Sequence, residues 1–175
     1  GYIGANVTVP HKAAALALSQ PDARALAIGA ANTLWLDEGT LRSTNTDAEG
    51  FLANLDASAP GWDKGIKAAL VLGAGGSAHA VVFGLAERCV PRIYVANRTI
   101  ARAQEIAARF GSSVHPIAWD DKGECFSAIG LLVNTTTLGM AGQPPLTIAL
   151  DSLPGDAVVA DLVYVPLETA LLAAA

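Results

Sequence analysis

Three short segments carry the side chains able to do chemistry. Lys12 closes Asn6-Val7-Thr8-Val9-Pro10-His11-Lys12, Asp47 closes Asn45-Thr46-Asp47, and Gly73-Ala74-Gly75-Gly76-Ser77-Ala78 is a glycine-rich turn. A lysine and a carboxylate make an acid–base pair: the ammonium donates a proton and polarises an oxygen, while the carboxylate orients it. Gly73, Gly75 and Ala78 fit the dinucleotide fingerprint G-x-G-x-x-[GA]. Its first glycine permits the tight turn, its second lets the backbone approach a pyrophosphate, and its small third residue lets helix and strand pack closely. The helix that follows offers unpaired amides and the positive end of its dipole to an anion. A cofactor turn with an acid–base pair outside its own unit implies a substrate for the cofactor to act on.

The elements that must position these groups fall into two regions. In the first, residues 3–9 read as a short strand opening into a helix over 11–18, and Pro21-Asp22 starts a second helix with proline in its first turn. Residues 32–36 and 40–43 flank Asp37-Glu38-Gly39, a hairpin signal. Thr46-Asp47-Ala48-Glu49 matches a capping box, which places a helix start at Asp47 or just after it. Residues 57–65 hold Ser, Pro, Asp and two glycines and read as the linker. Beyond it strands and helices alternate: strands at 68–72, 92–96, 114–117, 131–133 and 158–160, helices at 77–88 and 100–110. This alternation predicts a parallel, doubly wound sheet.

The end of the second strand of that sheet selects the cofactor. An NAD site places Asp or Glu there to bind the ribose 2′-hydroxyl. This chain has Asn97-Arg98-Thr99, with Arg102 one helical turn later and no acid at the tip. Two guanidinium groups suit a 2′-phosphate, so NADP(H) is expected. Asn134-Thr135-Thr136-Thr137-Leu138-Gly139-Met140 follows another apolar strand, on the side where ligands lie in such sheets. His79 reads as a helix or phosphate-side residue, His115 as structural, and His11 as a non-catalytic neighbour of Lys12.

With 175 residues, 52% hydrophobic and 15% charged, the chain can bury a core. A net charge of −5, with no polybasic run, argues against nucleic-acid binding. Cys89 and Cys125 are distant, without CxxC, and read as free, packed thiols of a cytoplasmic protein; no metal site is expected. Residues 68–86 lack Asp, Glu, Lys and Arg, but glycines, Ser77 and His79 interrupt them, so a strand, turn and helix are expected rather than a membrane span.

Together these segments, with Ala31-Asn32-Thr33-Leu34 and Asp161-Leu162-Val163-Tyr164, resemble the shikimate dehydrogenase family. The resemblance implies an NADP-dependent oxidoreductase that reduces 3-dehydroshikimate to shikimate in aromatic amino-acid biosynthesis. It implies an α/β protein with a Rossmann-like doubly wound cofactor domain over residues 64–163, an incomplete α/β substrate domain over 1–56, and a tail, 164–175, that starts a return to the substrate domain. Lys12 and Asp47 are the implied catalytic pair. Thr8, Asn32, Asp47 and Tyr164 are implied to bind substrate. Gly73, Ala74, Gly75, Gly76, Ser77, Asn97, Arg98, Thr99, Arg102, Thr135, Thr136 and Leu162 are implied to bind cofactor. The family's N-terminal serine motif and its C-terminal glutamine helix have no counterpart among these residues, so the natural protein is expected to be longer at both ends. A monomer or homodimer is expected. The alternatives are a quinate/shikimate or aminoshikimate dehydrogenase, and a nucleotide-binding regulatory domain without turnover.

Overall fold

Two separate sheets organise the chain in the computed structural model, which describes residues 2–175. The first sheet has β1 (Gly4–Asn6), β2 (Gln20–Pro21), β3 (Thr33–Asp37) and β4 (Thr40–Thr44), in the order β1-β3-β4-β2. β3 and β4 form the antiparallel hairpin, with Leu36 opposite Leu41 and Asp37 opposite Thr40. Glu38 and Gly39 turn it at φ 49° and 80°, the pair of left-handed residues whose twist matches that of the strands. Helices α1 (Lys12–Ala17) and α2 (Ala23–Ile28) accompany this sheet. The second helix starts later than Pro21: that residue pairs with Ser43 in β2, and Asp22 caps α2 by accepting the Ala25 N–H at 2.8 Å. A carboxylate that satisfies an orphan amide outcompetes a proline first turn at this point.

Helix α3 (Asp47–Ser58) crosses from the first sheet to the second. Its Ala48 packs with Ile28, Ala30 and Ala80, while Leu55 enters the core of the second sheet. Residues 59–65 are a packed turn rather than a loose linker. Trp62 is buried and donates from Nε1 to Asp56, and Arg88 pairs with both Asp56 and Asp63.

The second sheet comprises β5 (Ala69–Leu72), β6 (Ile93–Asn97), β7 (Val114–Ala118), β8 (Leu131–Asn134) and β9 (Val158–Asp161). All pairings are parallel, in the order β7-β6-β5-β8-β9. The order reverses between β5 and β8, which opens a crevice at their carboxyl ends. β5 and β8 are buried along their whole length, as strands covered on both faces must be. One face packs against α3, α4 (Gly76–Glu87) and α5 (Ile100–Phe110). The other is covered by a 3-10 segment, Asp120–Ala128, and by Leu146 and Leu171.

Helix α6 (Ala170–Ala174) packs on the second sheet through Leu171, which is 2% exposed. The uncharged stretch 68–86 resolves into β5, the glycine turn and most of α4, and no described helix is long and apolar enough to cross a membrane. Both cysteines are free, but only Cys125 is packed; Cys89 is exposed on the turn after α4, where φ is 55° and Val90 takes the buried position instead.

Side chains of the second lobe cap the end of α2. Arg109 donates to the Leu26 and Ala27 carbonyls, and His79 Nδ1 lies 2.9 Å from the Ile28 carbonyl. His79 thus faces the lobe interface and not a phosphate; its ring packs edge-on against Phe110.

Candidate active site

Lys12 is the first residue of α1 and is only 8% exposed. Its Nζ lies 2.5 Å from Asp47 Oδ2 and 3.3 Å from Ser77 Oγ. An ammonium has three protons, so one remains for another acceptor. Asp47 opens α3, but the expected capping box does not form. Thr46 makes no side-chain cap; its hydroxyl accepts from Asn32 Nδ2 at 3.0 Å, and Glu49 pairs instead with Arg24. Asn45 does the work at the helix start. It is fully buried, its Oδ1 accepts the Asp47 N–H at 2.9 Å, and its Nδ2 donates to the Ala30 carbonyl at 2.9 Å. Asn32 then holds the carboxylate from the other side, donating to Asp47 Oδ1 at 2.7 Å. Both Asp47 oxygens are thereby committed, one to Lys12 and one to Asn32.

The pair opens into a cleft of about 1070 Å³ between the two sheets. Thr8, Lys12, Asn32, Asp47 and Tyr164 line it, and from the second lobe so do Ser77, Thr135, Thr136 and Leu162. Tyr164 is 69% exposed, so its ring sits at the open rim. A second hollow, about 840 Å³, lies at the opposite ends of the strands, beside Lys67 and Arg92. Ligands of parallel sheets bind beyond the carboxyl ends, so the first cleft is the candidate site.

The glycine turn fits a dinucleotide. Gly73 has φ +102°, and a Cβ there would come within 2.9 Å of Thr135 Oγ1 and 3.0 Å of Thr136 Cγ2. Gly75 is exposed and a Cβ on it would meet open space, which leaves its backbone accessible to an anion. Ala78, in the first turn of α4, is fully buried in the core with Ala69 and Val71 of β5. Gly73 N–H donates to the Ala96 carbonyl, so the turn sits beside the end of β6. There Asn97 Nδ2 closes on the Thr99 carbonyl at 2.9 Å, and Arg98 and Arg102 are exposed with no ion pair among the described residues. Asn97, Arg98, Thr99 and Arg102 do not line the cleft itself; they stand one strand away from it.

The far wall is braced by a network that sequence reasoning left without a role. Asn134, fully buried, donates to Asp161 Oδ1 at 2.9 Å and accepts from the Thr136 hydroxyl at 2.7 Å. Asp161 Oδ2 accepts from Thr169 Oγ1 at 2.7 Å, and Thr169 caps α6. Residues 134–138, the end of β9 and α6 are so joined. Asn45 was likewise unassigned, although an asparagine two residues before a helix start is a recognisable Asx-turn signal. Asn134 and Asp161 make the same local turn, accepting the Thr136 and Val163 N–H at 3.0 Å each, whereas their bond to each other joins two different strands. His115 stacks on Tyr94, and His11 is exposed at the start of α1.

A family described as Shikimate / quinate 5-dehydrogenase matches residues 62–139. The chain is 66% identical over its full length to a Nitrobacter hamburgensis protein named shikimate dehydrogenase (NADP(+)), of which it covers 61%. It is 67% identical to a Rhodopseudomonas palustris protein of the same name, covering 63%. Among solved structures, quinate dehydrogenase from Corynebacterium glutamicum in complex with NAD superposes with a TM-score of 0.87 at 31% identity, over 99% of this chain and 64% of that one. Shikimate 5-dehydrogenase from Thermus thermophilus in complex with NADP(H) and shikimate superposes at 0.83 with 38% identity, over 99% of this chain and 63% of that one. The chain therefore spans about three-fifths of the length of the relatives it matches. Along all 175 residues, and in the architecture of its parallel sheet, the chain is similar to proteins named shikimate dehydrogenase.

Proposed function

We propose that the protein interconverts 3-dehydroshikimate and shikimate with NADP(H), working as a reductase in the cell. The observation that carries this reading is the pairing of the buried Lys12 with Asp47, which faces the same cleft as the helix that follows the glycine turn. NADPH, when bound, supplies the hydride. Lys12 supplies the proton: its Nζ–H polarises the ketone oxygen and is transferred to it as the alcohol forms. Asp47 Oδ2 keeps the ammonium aimed into the cleft, and Asn32 keeps Asp47 in place. Thr8, Asn32 and Asp47 offer the mixed donors and acceptors that a ring polyol needs, with Tyr164 at the rim for the carboxylate. Gly73, Ala74 and Gly75 form the pyrophosphate turn, and Thr135, Thr136 and Leu162 the nicotinamide side. The exposed guanidinium groups of Arg98 and Arg102 take the 2′-phosphate. Free thiols, with Cys89 exposed, suit the cytoplasm.

A second reading, quinate oxidation with NAD, is favoured by the superposition on the quinate dehydrogenase–NAD complex. Arg98 and Arg102 weigh against it. Initial rates of the full-length protein with shikimate and quinate, each with NADP+ and NAD+, decide. Shikimate with NADP+ should give the highest kcat/KM. Preference for quinate with NAD+ overturns the first reading, and no turnover with any combination leaves a nucleotide-binding domain.

A further inference from the structure

We infer that the cofactor turn itself holds the acid–base lysine: Ser77 is a positioning residue for Lys12, and Gly76 is a glycine because the lysine stem passes over it. This rests on Lys12 being the proton-transfer group of the proposed reaction. The family resemblance gives both residues to the cofactor, and the geometry points elsewhere.

Two independent observations agree. Ser77 Oγ lies 3.3 Å from Lys12 Nζ and is, besides Asp47, the other side-chain acceptor of the ammonium among the described residues. Asp47 pulls from the first lobe and Ser77 from the second, so the two acceptors fix the direction of the third N–H. At Gly76, a Cβ would lie 3.1 Å from Lys12 Cβ, 3.2 Å from Lys12 Cδ and 3.6 Å from Ala30 Cβ. Gly76 is not in the left-handed region, so its backbone conformation does not call for glycine, and the fingerprint allows any residue at that position. Gly75, where a Cβ would meet nothing, is the glycine that leaves room for the anion. Gly76 instead makes room for the aliphatic stem of a lysine that is 8% exposed. The chemistry on the first lobe is thus set in register with the hydride donor by direct contact with the turn that seats it.

The test uses the full-length protein with Ser77→Ala, Ser77→Thr and Gly76→Ala, and Ser77→Ala combined with Lys12→Ala. Steady-state rates with shikimate and NADP+ are read together with the NADPH dissociation constant from fluorescence titration. Loss of one charge-assisted hydrogen bond of this length should lower kcat roughly three- to tenfold in Ser77→Ala. The NADPH dissociation constant should move by less than about twofold, far below the loss of a phosphate contact. Ser77→Thr, which keeps the hydroxyl, should restore kcat, and Gly76→Ala should lower kcat by displacing the stem. In the Lys12→Ala background, Ser77→Ala should cost nothing further. Weaker NADPH binding with kcat intact overturns the inference and returns Ser77 to the phosphates. An equal loss of kcat with and without Lys12 also overturns it. If Lys12→Ala alone keeps near-normal turnover, the proposed reaction mechanism fails. The contact is then still decided by the ¹⁵N resonance of the Lys12 amine, which must shift in Ser77→Ala; an unchanged resonance refutes it.

Discussion

Removing Lys12 and neutralising Asp47, singly and together, tests the proposed chemistry most directly. Lys12→Ala deletes the proton donor while leaving Asp47 Oδ1 bonded to Asn32 Nδ2 and the Asp47 amide bonded to Asn45. The fold should survive, because only one member of a partly exposed pair is lost and the remaining carboxylate, 28% exposed, keeps a donor and solvent. Turnover should not survive well: a positioned general acid contributes about 10²–10⁴-fold. Asp47→Asn removes the counter-charge of the Lys12 ammonium and leaves one amide oxygen where two carboxylate oxygens served Lys12 and Asn32. An unpaired buried charge partner costs about 1–3 kcal/mol, or roughly five- to 150-fold in kcat if the loss falls on the transition state. Much of that loss acts through Lys12, so the double variant should lose less than the product of the single losses. The assay is kcat at saturating shikimate and NADP+ for all four proteins, with thermal unfolding as the check on folding. Near-normal turnover in folded Lys12→Ala refutes the mechanism. Fully multiplicative losses keep Lys12 as the catalyst and reject the coupled pair.

Replacing both Arg98 and Arg102 with Ala removes charge-assisted contacts worth roughly 1.5–3 kcal/mol each, so NADP+ affinity should drop at least about tenfold while NAD+ use changes little; titration with both cofactors checks this, and equal losses would mean the arginines only support the fold. Asn45→Ala should lower stability by about 1–3 kcal/mol, because it strands the Ala30 carbonyl and the Asp47 N–H. Thermal unfolding should record about 2–4 °C for each kcal/mol, and kcat should fall as Asp47 loses its anchor. Burial holds the His79 imidazole below its ordinary range, with the Ile28 carbonyl opposing and Arg109 adding to the lowering. The unfolded chain therefore takes up the proton first as pH falls. His79 contributes stability that is whole above about pH 6.5 and is lost as pH drops through the lower folded-state pKa. His79→Asn keeps a donor for the Ile28 carbonyl but does not titrate, so its unfolding midpoint should vary less than the parent's between about pH 7.5 and about pH 5; identical slopes would refute the assignment.

Much of this protein is written locally. The alternation of apolar runs and helical segments from 68 to 160 determines a parallel sheet, because strands buried on both faces must be continuously apolar and helices must cover them. The glycine turn is legible for the same reason: φ +102° at Gly73 is a property of one residue, and a strand and helix flank it in sequence. Glu38-Gly39 and the start of α3 were equally readable from short segments. What the sequence could not decide is whatever depends on which distant group arrives. Thr46-Asp47-Ala48-Glu49 has the form of a capping box, yet Asn32 captures Thr46 and Arg24 captures Glu49, and the buried Asn45 secures the helix start instead. Residues 57–65 look like a linker, but Trp62 and the Arg88 ion pairs pin them down. Ser77 and Gly76 belong by motif to the cofactor, and only the docking of one lobe on the other brings Lys12 onto them. Local patterns encode conformation because backbone preference and periodicity are local; partners of polar groups are not encoded this way, because a hydrogen bond goes to whichever acceptor the tertiary fold delivers within about 3 Å.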